Sequence, residues 1–148
     1  MVENILWFLL GTGILFGIVL LWFMVYYWTN PQVENPDGKA CITGRCGDTM
    51  EISLKFNGDQ VVKASHWTNG CAHSLNCVCA AADLAMGKTP DEIVSIDADM
   101  IQKAIGGLPE DQMHCARLAE ETLQSALEDY MSSRQKRLCC EHVKVIKK

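Results

Sequence analysis

The sequence predicts an α+β domain, a small antiparallel sheet of about three strands packed against several helices, preceded by one transmembrane helix. Three observations carry this expectation. Residues 5–28 form an uncharged apolar run, two alternating runs flank an Asn-Gly-Asp turn at 57–59, and the chain from residue 71 onward has helical periodicity punctuated by caps and glycines. At 148 residues the chain accommodates one compact domain with an appendage. It reads as an anchor at 1–30, a linker at 31–39, a domain at 40–138 and a basic tail at 139–148.

The anchor is "ILWFLLGTGILFGIVLLWFMVYYW". As a helix it reaches about 35 Å, enough to cross the hydrocarbon core with some tilt. Trp7 near one end and Tyr26, Tyr27 and Trp28 at the other resemble interfacial aromatic anchors. A cleaved signal peptide requires a basic start, a shorter apolar run and a small-residue cleavage site. Here the start is "MVEN" and "YYWTNPQ" offers no such site, so a retained anchor is expected. Glu3 precedes the span, whereas Lys39 and Arg45 are the first basic residues after it. The positive-inside tendency then puts the protein in the cell membrane as a single-pass chain with its C-terminal domain facing the cytoplasm. In that reducing compartment the eight cysteines read as metal ligands or reactive thiols rather than disulfides.

"TNPQVENPDGKA" is a polar linker bearing Pro and Gly. A short strand around residues 40–43 precedes "TMEISLKF", in which Met50, Ile52, Leu54 and Phe56 alternate with polar residues. "QVVKASHW", with Val61 and Val62, follows across the hairpin signal of residues 57–59. "CAHSLNCVCAAADLAMGK" is a small-residue helix stopped at Gly87. In "TPDEIVSI", Thr89 is an N-cap with Pro90 in the first turn and Glu92 closing a capping box. "DADMIQKAIGG" is a further short helix ended by a glycine pair. The longest helix runs from about residue 111 to 137, and its Leu118, Thr122, Leu123, Ala126, Leu127 and Tyr130 form one buried stripe.

The formal net charge of −5 argues against nucleic acid as a partner. The tail "RQKRLCCEHVKVIKK" is the basic exception. It suits anionic lipid, but a solvated helix end with cations against the C-terminal dipole is the plainer reading. Cys71 opens the small-residue helix and Cys115 lies in the early turns of the last one, so both thiols should lean toward thiolate at helix N-termini. Cys46 sits in the turn before a strand. The three connections are expected to gather their thiols at one edge of the domain, with Asp48 and His114 beside them. Taken singly, each has an ordinary explanation: a small buried hydrophobe, a turn-forming Asp, a histidine near a helix start.

The words around them are more specific. "NPDG", "CGDTMEISLKF", "NGC" leading to "GKTPDEI", and "GGLP" followed by "HCARLAEETLQSALEDY" occur in an order and spacing that resembles the NifU-type N-terminal domain, the IscU-like iron–sulfur cluster scaffold family, over residues 35–130. The resemblance implies assembly of a cluster, usually [2Fe–2S], on three cysteines and its transfer to acceptor proteins, with no turnover of a small-molecule substrate and hence no enzyme. Carried over by motif, the ligands are Cys46, Cys71 and Cys115, with Asp48 or His114 completing or regulating the site. Sulfur would come from a cysteine desulfurase, and zinc is the alternative occupant of the cluster-free form. A zinc-binding sulfur-acceptor branch is similar but carries an insertion before its third cysteine and lacks the preceding His. The presence of His114 and the absence of an evident insertion favour the scaffold branch.

Some residues depart from that pattern. The family's Lys two residues before His-Cys is Gln112 here, with Glu110 and Asp111 upstream, which counts against recognition by a dedicated Hsp70-type chaperone. His66 stands where an aromatic residue is common, and Trp67 is expected to take over its packing. Cys77 falls one turn after His73, so a second metal site is one reading and buried small residues the plainer one. Cys79 points elsewhere, Cys41 is a spare thiol within reach of Cys46, and nothing nearby selects among metal binding, redox chemistry and lipidation for Cys139 and Cys140.

Overall fold

The structure, a computed structural model, describes residues 2–29 and 33–146. Pro31 and Gln32 of the expected linker and Lys147 and Lys148 of the expected tail lie outside the described residues. The Cys139–Cys140 pair lies outside those whose side chains are described. The chain divides into two units, Met1–Gln32 and Val33–Lys148.

The first unit is helix α1, Val2–Thr29. Its segment Leu9–Tyr27 is long and apolar enough, by length and composition, to cross a membrane, and none of it is buried within the protein. Trp22 stacks on Tyr26 one turn later, with ring centroids 5.6 Å apart.

The second unit begins with an antiparallel sheet in the order β1-β2-β3, formed by β1 (Gly38–Thr43), β2 (Thr49–Asn57) and β3 (Gln60–Thr68). The "NPDG" stretch already belongs to the sheet. The Asp37 N–H donates to the Leu54 carbonyl at 2.9 Å, and the Asp37 carboxylate accepts from the Phe56 N–H at 3.1 Å. Sheet pairing therefore starts inside the segment read as linker, at Gly38 opposite Leu54. Glycine is required there because the last helix passes so close that a Cβ would stand 2.3 Å from the Ala126 carbonyl oxygen.

The alternation read in β2 holds. Met50, Ile52, Leu54 and Phe56 are all buried, and Ile52 pairs with Ala40 on one side and His66 on the other. Each large side chain so buried contributes about 1.5–3 kcal/mol relative to exposure. The β2–β3 turn places Gly58 at φ +64, and Val62 bulges between the pairs Lys55–Lys63 and Phe56–Val61. Trp67 does not take over the packing expected at position 66. It is 54% exposed on the outer face of the sheet, in the row Cys41–Glu51–Trp67, because register puts odd-numbered residues of this stretch away from the core.

Four helices follow; the first and the last lie on the inner face of the sheet, and the two short ones between them pack against those helices. Helix α2, Ala72–Ala85, ends at Gly87, whose φ is +72 and whose N–H donates to the Val61 carbonyl at 2.9 Å. Helix α3, Pro90–Val94, starts on the Thr89–Glu92 capping box. Helix α4, Ala98–Ala104, starts on Asp97, which accepts from the Met100 N–H at 2.7 Å. A 3-10 turn at Glu110–Gln112 then leads into α5, Met113–Ile146.

The stripe Leu118, Thr122, Leu123, Ala126, Leu127 and Tyr130 is buried as expected. Tyr130 stacks on Phe56 at 3.7 Å between centroids, 8° from parallel. The ends of α5 differ from expectation. Pro109 forces an extended entry, so residues 110–112 close as a tighter turn before the helix. Beyond residue 137 no Gly or Pro interrupts the chain, and the helix continues through the segment read as a tail to Ile146.

Candidate metal centre

The β1–β2 turn, the β3–α2 junction and the start of α5 meet at one end of the sheet. The first turn is closed by the Gly44 N–H donating to the Asp48 carbonyl at 2.8 Å, with Gly47 at φ +88. It carries Cys46 and Asp48. The β3–α2 junction is fastened to the beginning of β2 next to Asp48. Thr49 N–H donates to Asn69 Oδ1 at 2.7 Å, and Thr68 Oγ1 donates to the Thr49 carbonyl at 2.7 Å. Gly70 N–H in turn donates to Thr68 Oγ1 at 3.0 Å. Cys71 follows as the N-cap of α2, in extended backbone.

Ligand atoms of Asp48, Cys71 and Cys115 all lie within 4.8 Å of one another. Cys46, exposed on the turn, lies outside that close group, though its charge is felt at Cys115. His114 touches the group from one side. Its Nε2 is 3.5 Å from Cys115 Sγ, while Nδ1 pairs with the Asp111 carbonyl at 2.9 Å. Gln112, in the place of the expected family lysine, accepts weakly from Cys115 Sγ at 3.9 Å.

Two residues that the sequence reading passed over build the interior of the site. Ser74 is fully buried; its hydroxyl donates to Asp48 Oδ2 and lies 3.4 Å from Cys115 Sγ and 3.7 Å from Cys71 Sγ. Gly70 has Asp48 pressed against it, so that a Cβ there would meet Asp48 Oδ2 at 2.5 Å. The available signal for Ser74 was its position three residues after Cys71, on the same helical face.

The thiols differ in character. Cys71 is held down to about 7, first by the Ser74 backbone N–H and then by the Ser74 hydroxyl, with smaller help from the His73 backbone and side chain. Cys115 goes the other way: it is 1% exposed, and burial pushes its thiol up despite the Ser74 hydroxyl. The expectation that both lean toward thiolate therefore holds for Cys71 alone, because desolvation outweighs the helix terminus at Cys115. Cys77 is fully buried and raised to about 11, chiefly by burial and then by the charges of Cys115 and Cys71. His73 is exposed and acts on Cys71, whereas Cys77 is buried in the core, which is the plainer of the two readings. Burial likewise raises Cys79, which donates weakly to Asp83 at 3.7 Å. Cys41 lies on the outer sheet face and, among the described residues, joins no ligand group.

A donor set of converging sulfurs with one carboxylate oxygen suits a thiophilic metal or an iron–sulfur cluster, and the ligating thiols must shed their protons on binding. An exposed thiol half-ionised near neutrality is also a competent nucleophile toward sulfur.

Residues 32–137 match the family described as NifU-like N terminal domain. The chain is 34% identical over 109 residues to the iron–sulfur cluster assembly scaffold protein IscU 1 of Archaeoglobus fulgidus, covering 70% of this chain and 71% of that protein. It is 32% identical over 124 residues to the iron–sulfur cluster assembly enzyme IscU of Drosophila melanogaster, covering 78% and 80%. Among solved structures, the N-terminal part of a nitrogen-fixing NifU-like protein from Brucella abortus shares the fold, with a TM-score of 0.51, 21% identity and coverage of 68% and 83%.

Proposed function

The chain belongs to the NifU-like N-terminal domain family, and on that premise we propose that it is a scaffold that assembles an iron–sulfur cluster and passes it to acceptor proteins. The observation that carries this reading is the convergence of Asp48, Cys71 and Cys115 ligand atoms within 4.8 Å at the junction of three connections. Cys46, on the glycine-bearing turn beside Asp48, supplies the third thiolate. Asp48 or His114 supplies a weaker fourth bond, so that the cargo, of [2Fe–2S] type, is gripped firmly at three points and loosely at one. In the cluster-free form the same donors hold zinc.

Sulfur arrives as the persulfide of a cysteine desulfurase. The exposed Cys71 thiolate attacks the outer persulfide sulfur; the partner's S–S bond breaks, the partner leaves as a thiolate, and Cys71 carries the sulfur onward. Buried Cys115 does not make that attack, since a protonated thiol without solvent access is a poor nucleophile. Iron and electrons come from further partners. Helix α1 tethers the domain to the membrane, with the domain on the cytoplasmic side.

Anaerobic reconstitution with ferrous iron and sulfide, followed by visible absorption, tests the reading. The wild-type chain is expected to colour, and Cys71→Ser and Cys115→Ser are each expected to abolish stable loading. A colourless zinc-bound product from the wild type would replace the scaffold reading with that of a zinc-binding sulfur acceptor.

A further inference from the structure

Ser74 and Thr122, both fully buried in helices, satisfy their hydroxyls differently. Thr122 Oγ1 donates back to the Leu118 carbonyl of its own helix at 2.7 Å, a local solution with no consequence beyond α5. Ser74 does not. Among the described hydrogen bonds its hydroxyl serves no backbone carbonyl, and its partners are Asp48 Oδ2, Cys115 Sγ at 3.4 Å and Cys71 Sγ at 3.7 Å. It sits in a helix that otherwise uses Ala72, Ala80, Ala81, Ala82 and Ala85. There a serine is a poorer helix former than alanine, and its burial costs free energy unless the hydroxyl is satisfied.

We propose that Ser74 is a positioning residue of the metal centre, whose hydroxyl holds the Asp48 carboxylate against the Cys71 and Cys115 sulfurs. The proposal rests on the reading of these residues as a metal-binding group. The hydroxyl's one hydrogen faces three acceptors, Asp48 Oδ2 and the Cys115 and Cys71 sulfurs, and the carboxylate, the strongest of them, takes its main share. One side chain from α2 thus ties together donors from the β1–β2 turn, from the N-cap of its own helix and from α5. Gly70 closes the other side, since its lack of a Cβ is what lets Asp48 and Ser74 approach.

The test is cobalt(II) titration of the full chain in detergent, read by its visible ligand-field and sulfur-to-metal absorption. Wild type, Ser74→Ala, Asp48→Ala and the double variant are compared, with thermal melts of the metal-free proteins alongside. Ser74→Ala is expected to melt close to wild type and to bind cobalt on the order of 10- to 100-fold more weakly, the range for a group that orients ligands without ligating. In the Asp48→Ala background the same change is expected to cost much less, because the group being positioned is gone. Wild-type affinity in Ser74→Ala, an equal loss in both backgrounds, or collapse of the metal-free melt would each overturn the proposal. The last two would make Ser74 a structural residue. Absence of sulfur-to-metal absorption from the wild type itself would instead take down the metal-centre reading, and this proposal with it.

Discussion

Substituting Gly70 with alanine adds one methyl group to the wall of the proposed metal centre. The new Cβ would stand 2.5 Å from Asp48 Oδ2, 2.7 Å from Asp48 Cγ and 2.7 Å from Ser74 Cβ. Comfortable non-bonded contacts lie near 3.5–4.0 Å, so roughly 1 Å of movement is demanded of Asp48, of Ser74, or of the junction that carries residue 70. The junction is held by the Thr49, Thr68 and Asn69 hydrogen bonds and cannot give without breaking them. Overpacking of this kind costs about 1–3 kcal/mol. At about 4 °C per kcal/mol for a unit of this size, the melting temperature should fall by roughly 4–12 °C.

Gly87→Ala is the control. There φ is +72 and a Cβ would meet nothing within 4 Å, so only left-handed backbone strain of about 1–2 kcal/mol applies, at the opposite end of α2. Differential scanning fluorimetry should therefore show both variants destabilised. Zinc titration should separate them: Gly70→Ala weakened on the order of 10- to 100-fold, Gly87→Ala unchanged. Adding Asp48→Ala to Gly70→Ala should recover part of the lost melting temperature. If Gly70→Ala melts and binds zinc like the wild type, Asp48 is not packed against the β3–α2 junction and the geometry of the site is wrong.

Cys71, held down to about 7, should alkylate with iodoacetamide at half its maximal rate near pH 7. Only the thiolate reacts, so the rate should rise through that pH and level off above it. Buried Cys77 and Cys115, both raised, should lag at neutral pH; peptide mass mapping of partially alkylated protein checks the order. Phe56→Ala removes a buried ring stacked on Tyr130 and should cost about 3–5 kcal/mol, read as a shift of the denaturant midpoint. Neither residue is among the site's donors, so zinc affinity of the folded Phe56→Ala protein should stay at the wild-type value.

Much of the fold was legible because local chemistry and burial agree. The alternation of Met50, Ile52, Leu54 and Phe56 has one buried face to obey, and the Thr89–Glu92 box satisfies its own amides whatever packs above it. Helix boundaries were less legible. Nothing between residues 137 and 146 forbids helix, and a basic composition read as a tail is equally a helix end. At the site, sequence named residues that the fold brings to one end of the sheet, but it misjudged their state. A helix-terminal position suggested thiolate for Cys115, whereas tertiary burial decides in the other direction. His73 and Cys77 share helical spacing, yet one faces solvent and the other the core, a difference set by how α2 lies on the sheet. Ser74 left no mark because a serine in an alanine-rich helix is ordinary until its three partners, two of them on other elements, are in view.

In the proposed centre Cys46, Cys71 and Cys115 grip one inorganic core, with an oxygen or nitrogen donor beside them. X-ray absorption fine structure at the zinc edge, on the anaerobically loaded full chain, counts those neighbours directly. Three sulfurs at about 2.3 Å and one lighter atom at about 2.0–2.2 Å are predicted, falling to two sulfurs in Cys46→Ser. A wild-type shell of four sulfurs, or of fewer than three, would contradict it.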